Sequence, residues 1–470
     1  MLKAILRYDN GTLSISGGIS HIPFASVDPR TNHLRAQALY YQNIIEYLKQ
    51  SEVQYDDSGV LDLVPSPSMT RMGGSDGNNL SLRDYQQRAL DNWDKAGKRG
   101  CVVLPTGSGK TVIGIKAIEM VNSACLIVVP TIDLMDQWTS VLSKYFTNVK
   151  IGNLGGGSEF VQAITVSTYD SAYIRASNLG NKFAFIIFDE VHHLAAPGYR
   201  SIAEQMASPF RLGLTATIER EDNLHKELPR LVGGIVFQAF NIDLAKAKHL
   251  APYEIERIRV DMTPEEYEEY KRHFGTYQKC LITMGLKMNR PGEFRRLIMM
   301  SGRSLVARQA VLARNKAMDI ALNSRSKVEE LRKILSENKG IKTIIFTQHN
   351  KLVYDISDRF LIPPITHKSS KRERQDTLQG FRDGRYTTIV TSKVLDEGVD
   401  VPDAELGIIL SGTGSSREFI QRLGRLLRPK QHSQNGKAKL IEIVSAGTRE
   451  IETSAKRKRN FDKTQESSHN

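Results

Sequence analysis

The segment from Pro105 to Thr111, PTGSGKT, gathers the groups that hold a triphosphate. Gly107 and Gly109 let backbone N–H groups close around phosphate oxygens, and a helix opening at Lys110 adds positive potential. Lys110 is placed to bridge the β- and γ-phosphates, and the Thr111 hydroxyl to sit on Mg²⁺. Pro105, Thr106 and Ser108 complete the loop. The general phosphate-loop pattern has a glycine five residues before Gly109; Leu104 stands there, so the loop has a compact form. Asp189 and Glu190 end the apolar run FIIF. Two acids there are costly unless a cation or polar network compensates. That places Asp189 toward Mg²⁺ and Glu190 where it orients and deprotonates an attacking water. Arg422, Arg425 and Arg428 recur every three residues in REFIQRLGRLLRP, near one helix face. Arg425 and Arg428 are the candidates to reach a γ-phosphate from a second lobe. Gln86, shortly before the loop, has an amide with the donor and acceptor that an adenine edge requires.

These groups need elements to position them. VVLP before the loop, ACLIVVP (124–130), ITVST (164–168), FIIFD (185–189) and RLGLTAT (211–217) are apolar strands alternating with helical stretches. That pattern implies a parallel sheet with functional groups at the C-terminal strand ends. A helix carrying Thr131, Asp133, Gln137 and Trp138 follows the second strand. Ser81 is expected to cap a helix running to Trp93. A second β/α series comprises IKTIIFTQHN (341–350), PPITH (363–367), TTIVTS (387–392), Glu405 to Leu410 and Lys439 to Val444. It has no phosphate loop of its own, so ATP is expected between two lobes.

Ahead of both lobes, alternating runs flank Asn10-Gly11, a hairpin signal. Leu34 to Tyr41, continuing into Asn43 to Leu48, is read as a helix. Residues 64–79, rich in Pro, Gly, Ser and Asn, form a linker. Thr263-Pro264-Glu265-Glu266 starts a helix with a capping box.

The chain has 470 residues, 40% hydrophobic and 25% charged, with a formal net charge of +13. That balance points to a polyanionic partner, most simply nucleic acid. Lys271 to Lys327 holds thirteen Lys/Arg and two acids, so most of the excess sits in one stretch. Arg295 and Arg296 are its candidate phosphate contacts. Cys101, Cys125 and Cys280 form no metal-binding spacing, and His192-His193 lacks zinc-protease spacing, which leaves His192 a polar coupling role. With neither a signal-peptide pattern nor a membrane-spanning apolar run, a cytoplasmic protein is expected.

The motifs LRDYQ, PTGSGKT, VVPT, VSTYD, DEVH, GLTAT, IIFTQHN, VTSKVLDEGVD and QRLGRLLRP follow the order of superfamily 2 helicases over residues 80–430. Arg220-Glu221-Asp222 resembles the RED motif of the XPB (xeroderma pigmentosum group B) helicases. The basic stretch is similar to that family's thumb, the N-terminal region to its damage-recognition domain, and the length to its archaeal form. The resemblance implies an α/β chain of two RecA-like parallel-sheet lobes, with a small α+β N-terminal domain and a basic helical thumb insertion. The segments are 1–63 (N-terminal domain), 64–79 (linker), 80–240 (lobe 1), 241–448 (lobe 2, thumb about 263–325) and 449–470 (flexible basic tail).

It also implies a DNA-dependent ATPase that moves 3′ to 5′ and opens duplex DNA in nucleotide excision repair and transcription, using ATP and Mg²⁺. Gln86 would contact adenine. Lys110, Thr111, Asp189 and Glu190 would handle ATP, Gly398 and Asp400 would couple DNA to ATP, and Arg425 and Arg428 would be arginine fingers. Thr131, Ser167, Thr168 and Thr347 would touch the DNA backbone, and Arg220, Glu221 and Asp222 would assist strand separation. Partners would be duplex and single-stranded DNA and a structure-specific nuclease, with no membrane. An RNA helicase of the same superfamily and an ATP-switched DNA clamp are the competing readings.

Overall fold

Asn10 and Gly11 set the first turn of the chain. In the computed structural model both have positive φ, 45° and 89°, the pair that lets a two-residue turn match the twist of its flanking strands. They join strand Lys3–Asp9 to strand Thr12–Ser16 in antiparallel register. The structure describes residues 3–17, 19–66, 81–220, 222–239, 253–288, 292–392, 404–410 and 438–455. Glu221, Gly398, Asp400, Arg425 and Arg428, the rest of the linker and residues 456–470 lie outside them.

Strands Ala25–Asp28, His33–Gln37 and Gln54–Gly59 complete a five-stranded N-terminal sheet, with Ala25–Asp28 at one edge. Helix Tyr41–Gln50 lays Ile44, Ile45 and Leu48 on Ala4, Leu6, Leu13 and Ile15. The helix expected from Leu34 therefore starts only at Tyr41. Leu34 and Ala36 are buried while His33 and Gln37 are exposed, so the period of two, and with it the strand, prevails.

This sheet has its own core yet is fastened to the first lobe. The Tyr8 hydroxyl donates to the carbonyls of Ser177 (2.7 Å) and Gln205 (3.0 Å), and burial pushes its pKa up to about 12. A Cβ on Gly180 would lie 1.9 Å from that hydroxyl. Asp62 and Val64 donate backbone N–H groups to the Asn181 and Lys182 carbonyls. Ala207 packs into the N-terminal core, and Leu39 into that of the lobe.

The chain divides into two compact units between residues 240 and 241. In the first, eight strands form one sheet in the order Ile235–Gln238, Arg99–Val103, Phe210–Thr215, Phe185–Asp189, Cys125–Val129, Ile164–Thr168, Ile151–Gly155 and Ser158–Phe160. All neighbours are parallel except the last pair, a hairpin. The three strands Cys125–Val129, Ile164–Thr168 and Phe185–Asp189 are buried along their whole length, as expected of a parallel sheet covered on both faces. Cys101 and Cys125 lie within it; burial holds the Cys101 thiol up at about 12. Helix Asp84–Lys95 starts at Arg83 rather than Ser81, because the Gln86 side chain accepts from the Arg83 backbone N–H and caps it there.

In the second unit, six parallel strands run in the order Tyr253–Val260, Ala438–Ser445, Leu406–Ile409, Thr343–Phe346, Thr388–Thr391 and Pro364–Ile365. Helices Pro264–Thr283, Glu293–Ser301 and Leu305–Leu322 form the insertion. Thr263 and Glu266 form the expected reciprocal cap. The charge count changes once the helices are seen. Lys327 is buried, its ammonium 2.6 Å from Glu450. Lys271, Arg272 and Lys316 lie within 4.0 Å of Glu268 or Glu269. From Pro264 to Leu322, eleven Lys/Arg face six acids, so the excess is smaller than the Lys271–Lys327 window indicates. Residues 449–455, expected in the flexible tail, are helical, anchored by buried Glu450 and Ser454. No helix among the described residues is long and apolar enough to cross a membrane.

Candidate nucleotide-binding site

Strand Arg99–Val103 delivers the chain to Pro105, and helix Lys110–Val121 leaves from Gly109. Gly109 has φ +81°, and a Cβ there would lie 2.5 Å from the Gln86 amide nitrogen, so only glycine fits the bend. The loop is braced from below. The Ser108 carbonyl accepts from the Tyr85 hydroxyl (2.6 Å) and from Gln86 Nε2 (2.9 Å), and the Ser108 hydroxyl donates to the Pro105 carbonyl (2.7 Å). Ser108 is fully buried and Gln86 only 3% exposed. Their side chains shape the loop, and the Gln86 amide is bonded inside the protein at both ends. The Lys110 ammonium donates to the Leu104 and Pro105 carbonyls at 3.0 and 3.3 Å. Thr111 stands one residue further on, in the first helical turn.

Asp189 ends the central strand. Its Oδ2 accepts from the Trp138 indole N–H (2.8 Å) and its Oδ1 from the Glu190 backbone N–H (3.0 Å). Burial, reinforced by the charge of Glu190, raises its pKa to about 6. Glu190 adopts φ 47°, a left-handed conformation that costs an ordinary residue roughly 1–2 kcal/mol. That turn brings its carboxylate to the Thr215 hydroxyl, 3.2 Å away at the end of the neighbouring strand. The Thr215 hydroxyl also lies 3.1 Å from His192 Nδ1 and 2.8 Å from the Thr217 carbonyl. His192 is fully buried.

Arg220 extends this network. Its Nη1 donates to the His192 carbonyl at 2.7 Å, while Nε and Nη2 grip the two Asp222 oxygens at 2.9 and 2.7 Å. The Arg220 guanidinium holds the Asp222 carboxyl down at about 2. Arg220 and Asp222 thus spend their charges on each other and on the backbone beside Glu190.

The expected backbone contacts divide. Thr131 and Thr168 cap their helices, accepting from Leu134 N and Ser171 N, and Thr131 keeps solvent access. Ser167 and Thr347 are both fully buried, donating to the Thr168 and His349 carbonyls. Ser167 lies within its strand, and Thr347 directly follows strand Thr343–Phe346. Arg295 and Arg296 stand exposed on the short insertion helix, Arg296 3.6 Å from Glu293. Sequence reasoning missed the indole on Asp189, the tyrosine under the loop and the threonine on Glu190. Trp138 and Tyr85 were visible only as apolar helix positions, and Thr215 only as part of GLTAT.

The residues suit a nucleotide with a divalent cation. The loop offers a glycine cradle and a lysine, Thr106 Oγ1 is buried with no hydrogen-bond partner, and a carboxyl with a raised pKa gains from a nearby cation.

Comparison with known proteins adds three family matches in chain order. Residues 6–58 match the xeroderma pigmentosum group B helicase damage recognition domain, 79–220 the type III restriction enzyme res subunit, and 326–430 the helicase conserved C-terminal domain. A DNA 3'-5' translocase XPB2 from Sulfurisphaera tokodaii is 45% identical over 423 residues, 90% of this chain and 93% of that one. A DNA 3'-5' helicase XPB from Mycobacterium tuberculosis is 30% identical over 80% of this chain and 63% of its own. The general transcription and DNA repair factor IIH helicase/translocase subunit XPB/SSL2 of Saccharomyces cerevisiae is 27% identical, and this chain spans 47% of it. The Pyrococcus furiosus Hef helicase domain shares the fold at TM-score 0.50 and 19% identity, over 80% of this chain and 97% of that one. With an N-terminal domain, two helicase lobes and a 45% identical relative aligned along nine-tenths of both sequences, this chain belongs to the XPB helicase family.

Proposed function

We propose that this chain is an ATP-driven 3′ to 5′ DNA translocase that opens duplex DNA, working in nucleotide excision repair and in transcription. The observation that carries the reading is the bond series Glu190–Thr215–His192–Arg220, which ties the water-activating acid to a loop outside the nucleotide cradle. In this reading Lys110 exchanges its carbonyl partners for β- and γ-phosphate oxygens, and the amides of 106–111 wrap the phosphates. Glu190 takes the proton of the attacking water and is held by Thr215 in the position to do so. Thr111 and Asp189 would hold Mg²⁺, which supplies positive charge at the phosphate oxygens when bound. Gln86 reads adenine only by exchanging its bond to Ser108. Arg425 and Arg428 would serve as arginine fingers on the γ-phosphate, and Gly398 and Asp400 would couple DNA to ATP. Thr131, Thr168, Arg295 and Arg296 meet the DNA backbone; Arg220, Glu221 and Asp222 serve strand separation, Arg220 by transmitting rather than touching. A structure-specific nuclease is the partner class, and the cytoplasm the compartment.

The test is ATP turnover with duplex DNA, single-stranded DNA and RNA, alongside strand displacement on a 3′-tailed duplex. DNA-stimulated turnover with displacement is expected. Stimulation by RNA alone would make it an RNA helicase; DNA binding without displacement or translocation would make it a clamp.

A further inference from the structure

Phe24 occupies a position that ordinary folding rules give to another residue. Ile22, Pro23, Phe24 and Ala25 form a tight turn closed by the Ala25 N–H on the Ile22 carbonyl at 3.2 Å. Proline second and a positive φ third are the marks of a type II turn, whose third residue is normally glycine or asparagine. Here it is phenylalanine at φ 67°. Burial does not explain the strain, because Phe24 is 55% exposed. One face of its ring lies on Tyr40, centroids 4.5 Å apart and planes 8° from parallel. Tyr40 in turn packs against both the N-terminal core and the lobe core. The result is a rigidly backed aromatic surface beside the seam between domain and lobe.

We propose that Phe24, backed by Tyr40, is a stacking platform for an unpaired nucleobase of DNA, a proposal that rests on the DNA reading above. A base would continue the Tyr40–Phe24 stack on the open face, which is how sequence-tolerant single-strand binders use aromatic rings. The surroundings favour a base over a phosphate. Residues 1–63 contain five Lys/Arg and seven Asp/Glu, and Arg30 and Arg35 are both held on Asp28. Strained residues that the surrounding structure over-determines gather at functional sites, and this one keeps more than half of its surface exposed while stacked on Tyr40.

The test uses the full chain and an oligonucleotide duplex carrying one unpaired 2-aminopurine. Phe24→Gly removes the ring and relieves the left-handed strain; Phe24→Trp keeps a stacking surface. Phe24→Gly should melt at the same or a higher temperature. It should lose the 2-aminopurine quenching and bind this duplex about tenfold more weakly. Its affinity for the fully paired duplex should be unchanged, and the tenfold difference should not vary with salt. Phe24→Trp should restore both signals. A lower melting temperature for Phe24→Gly with unaltered quenching would make Phe24 a structural staple and overturn the platform. Equal losses on paired and unpaired DNA would overturn it too, as would unchanged binding of both duplexes. Wild-type protein that binds no DNA at all would instead bring down the motor reading on which the platform stands.

Discussion

The strand ends of the first lobe and the helical insertion of the second use charge in opposite ways. At the strand ends, Lys110, Asp189, Glu190 and Arg220 all hold short, specific bonds within the protein. Removing one such group leaves its partner stranded, so the expected effects are large and local. On the insertion, Arg295 and Arg296 stand in water, and several neighbours share charge with Glu268 and Glu269. Each contributes a small, additive and salt-screened increment. The first arrangement suits chemistry that must happen in one geometry, the second a grip that must be made and released at many positions.

The widest separation between the two regions should come from Lys110→Ala and Glu190→Gln. Either is expected to cut ATP turnover by roughly a hundredfold or more, and Glu190→Gln should still bind ATP, because an amide fills the same space without accepting the proton. Near-normal turnover in both, measured at saturating DNA, would remove the strand ends from the chemistry. Next in size is Arg220→Ala, which breaks the bond to the His192 carbonyl and frees Asp222. DNA-stimulated turnover should fall roughly tenfold, about one charge-assisted hydrogen bond, while ATP affinity and DNA-free turnover stay close to wild type. Equal loss with and without DNA would mean that Arg220 props the site and does not transmit.

A third measurement reads stability. Asp189 titrates near 6 when folded, against an ordinary value of 3.8. Between those values the folded chain holds the proton more tightly than the unfolded one. Rising pH therefore removes stability across that window, and the deficit persists above it. Asp189→Asn should melt higher than wild type at pH 7 to 8 without nucleotide or divalent cation, and the gap should shrink as pH falls through 6 toward 4. A pH-independent gap would show that the carboxyl is at ease in its site. The smallest effect belongs to the insertion. Arg295→Ala should reduce the slope of log affinity against log salt by roughly 0.9 for one lost duplex phosphate contact. Arg296→Ala should reduce it less, since Glu293 already lies beside that guanidinium. Identical, undiminished slopes would take this helix out of the grip.

Features set by near neighbours in the chain were legible. Asn10-Gly11 announced its turn and Thr263 to Glu266 their cap, because the partners lie within three residues of each other. The buried strands announced themselves as apolar runs ending in Asp189 or Thr168. What stayed hidden depends on which strands become neighbours. Trp138 and Asp189 are 51 residues apart and Tyr85 and Ser108 are 23 apart; no local pattern records either bond. The burial of Ser167 and Thr347 is likewise a product of the closed sheets, which no local pattern records. The charge count over Lys271–Lys327 failed at both edges, where Glu268, Glu269 and Glu450 supply partners from outside the window.

The fastening of Tyr8 over Gly180 bears on how such a chain can be inherited or re-engineered. A hydroxyl that donates to two carbonyls, above a glycine where a Cβ would collide with it, works as a keyed joint. A foreign N-terminal module grafted at residue 64 would leave those carbonyls and the Leu39 pocket uncovered, and a lobe expressed from residue 80 would expose the same patch. Recombination that keeps residues 3–64 together with the 177–207 segment avoids both, so the two should pass between lineages as one cassette.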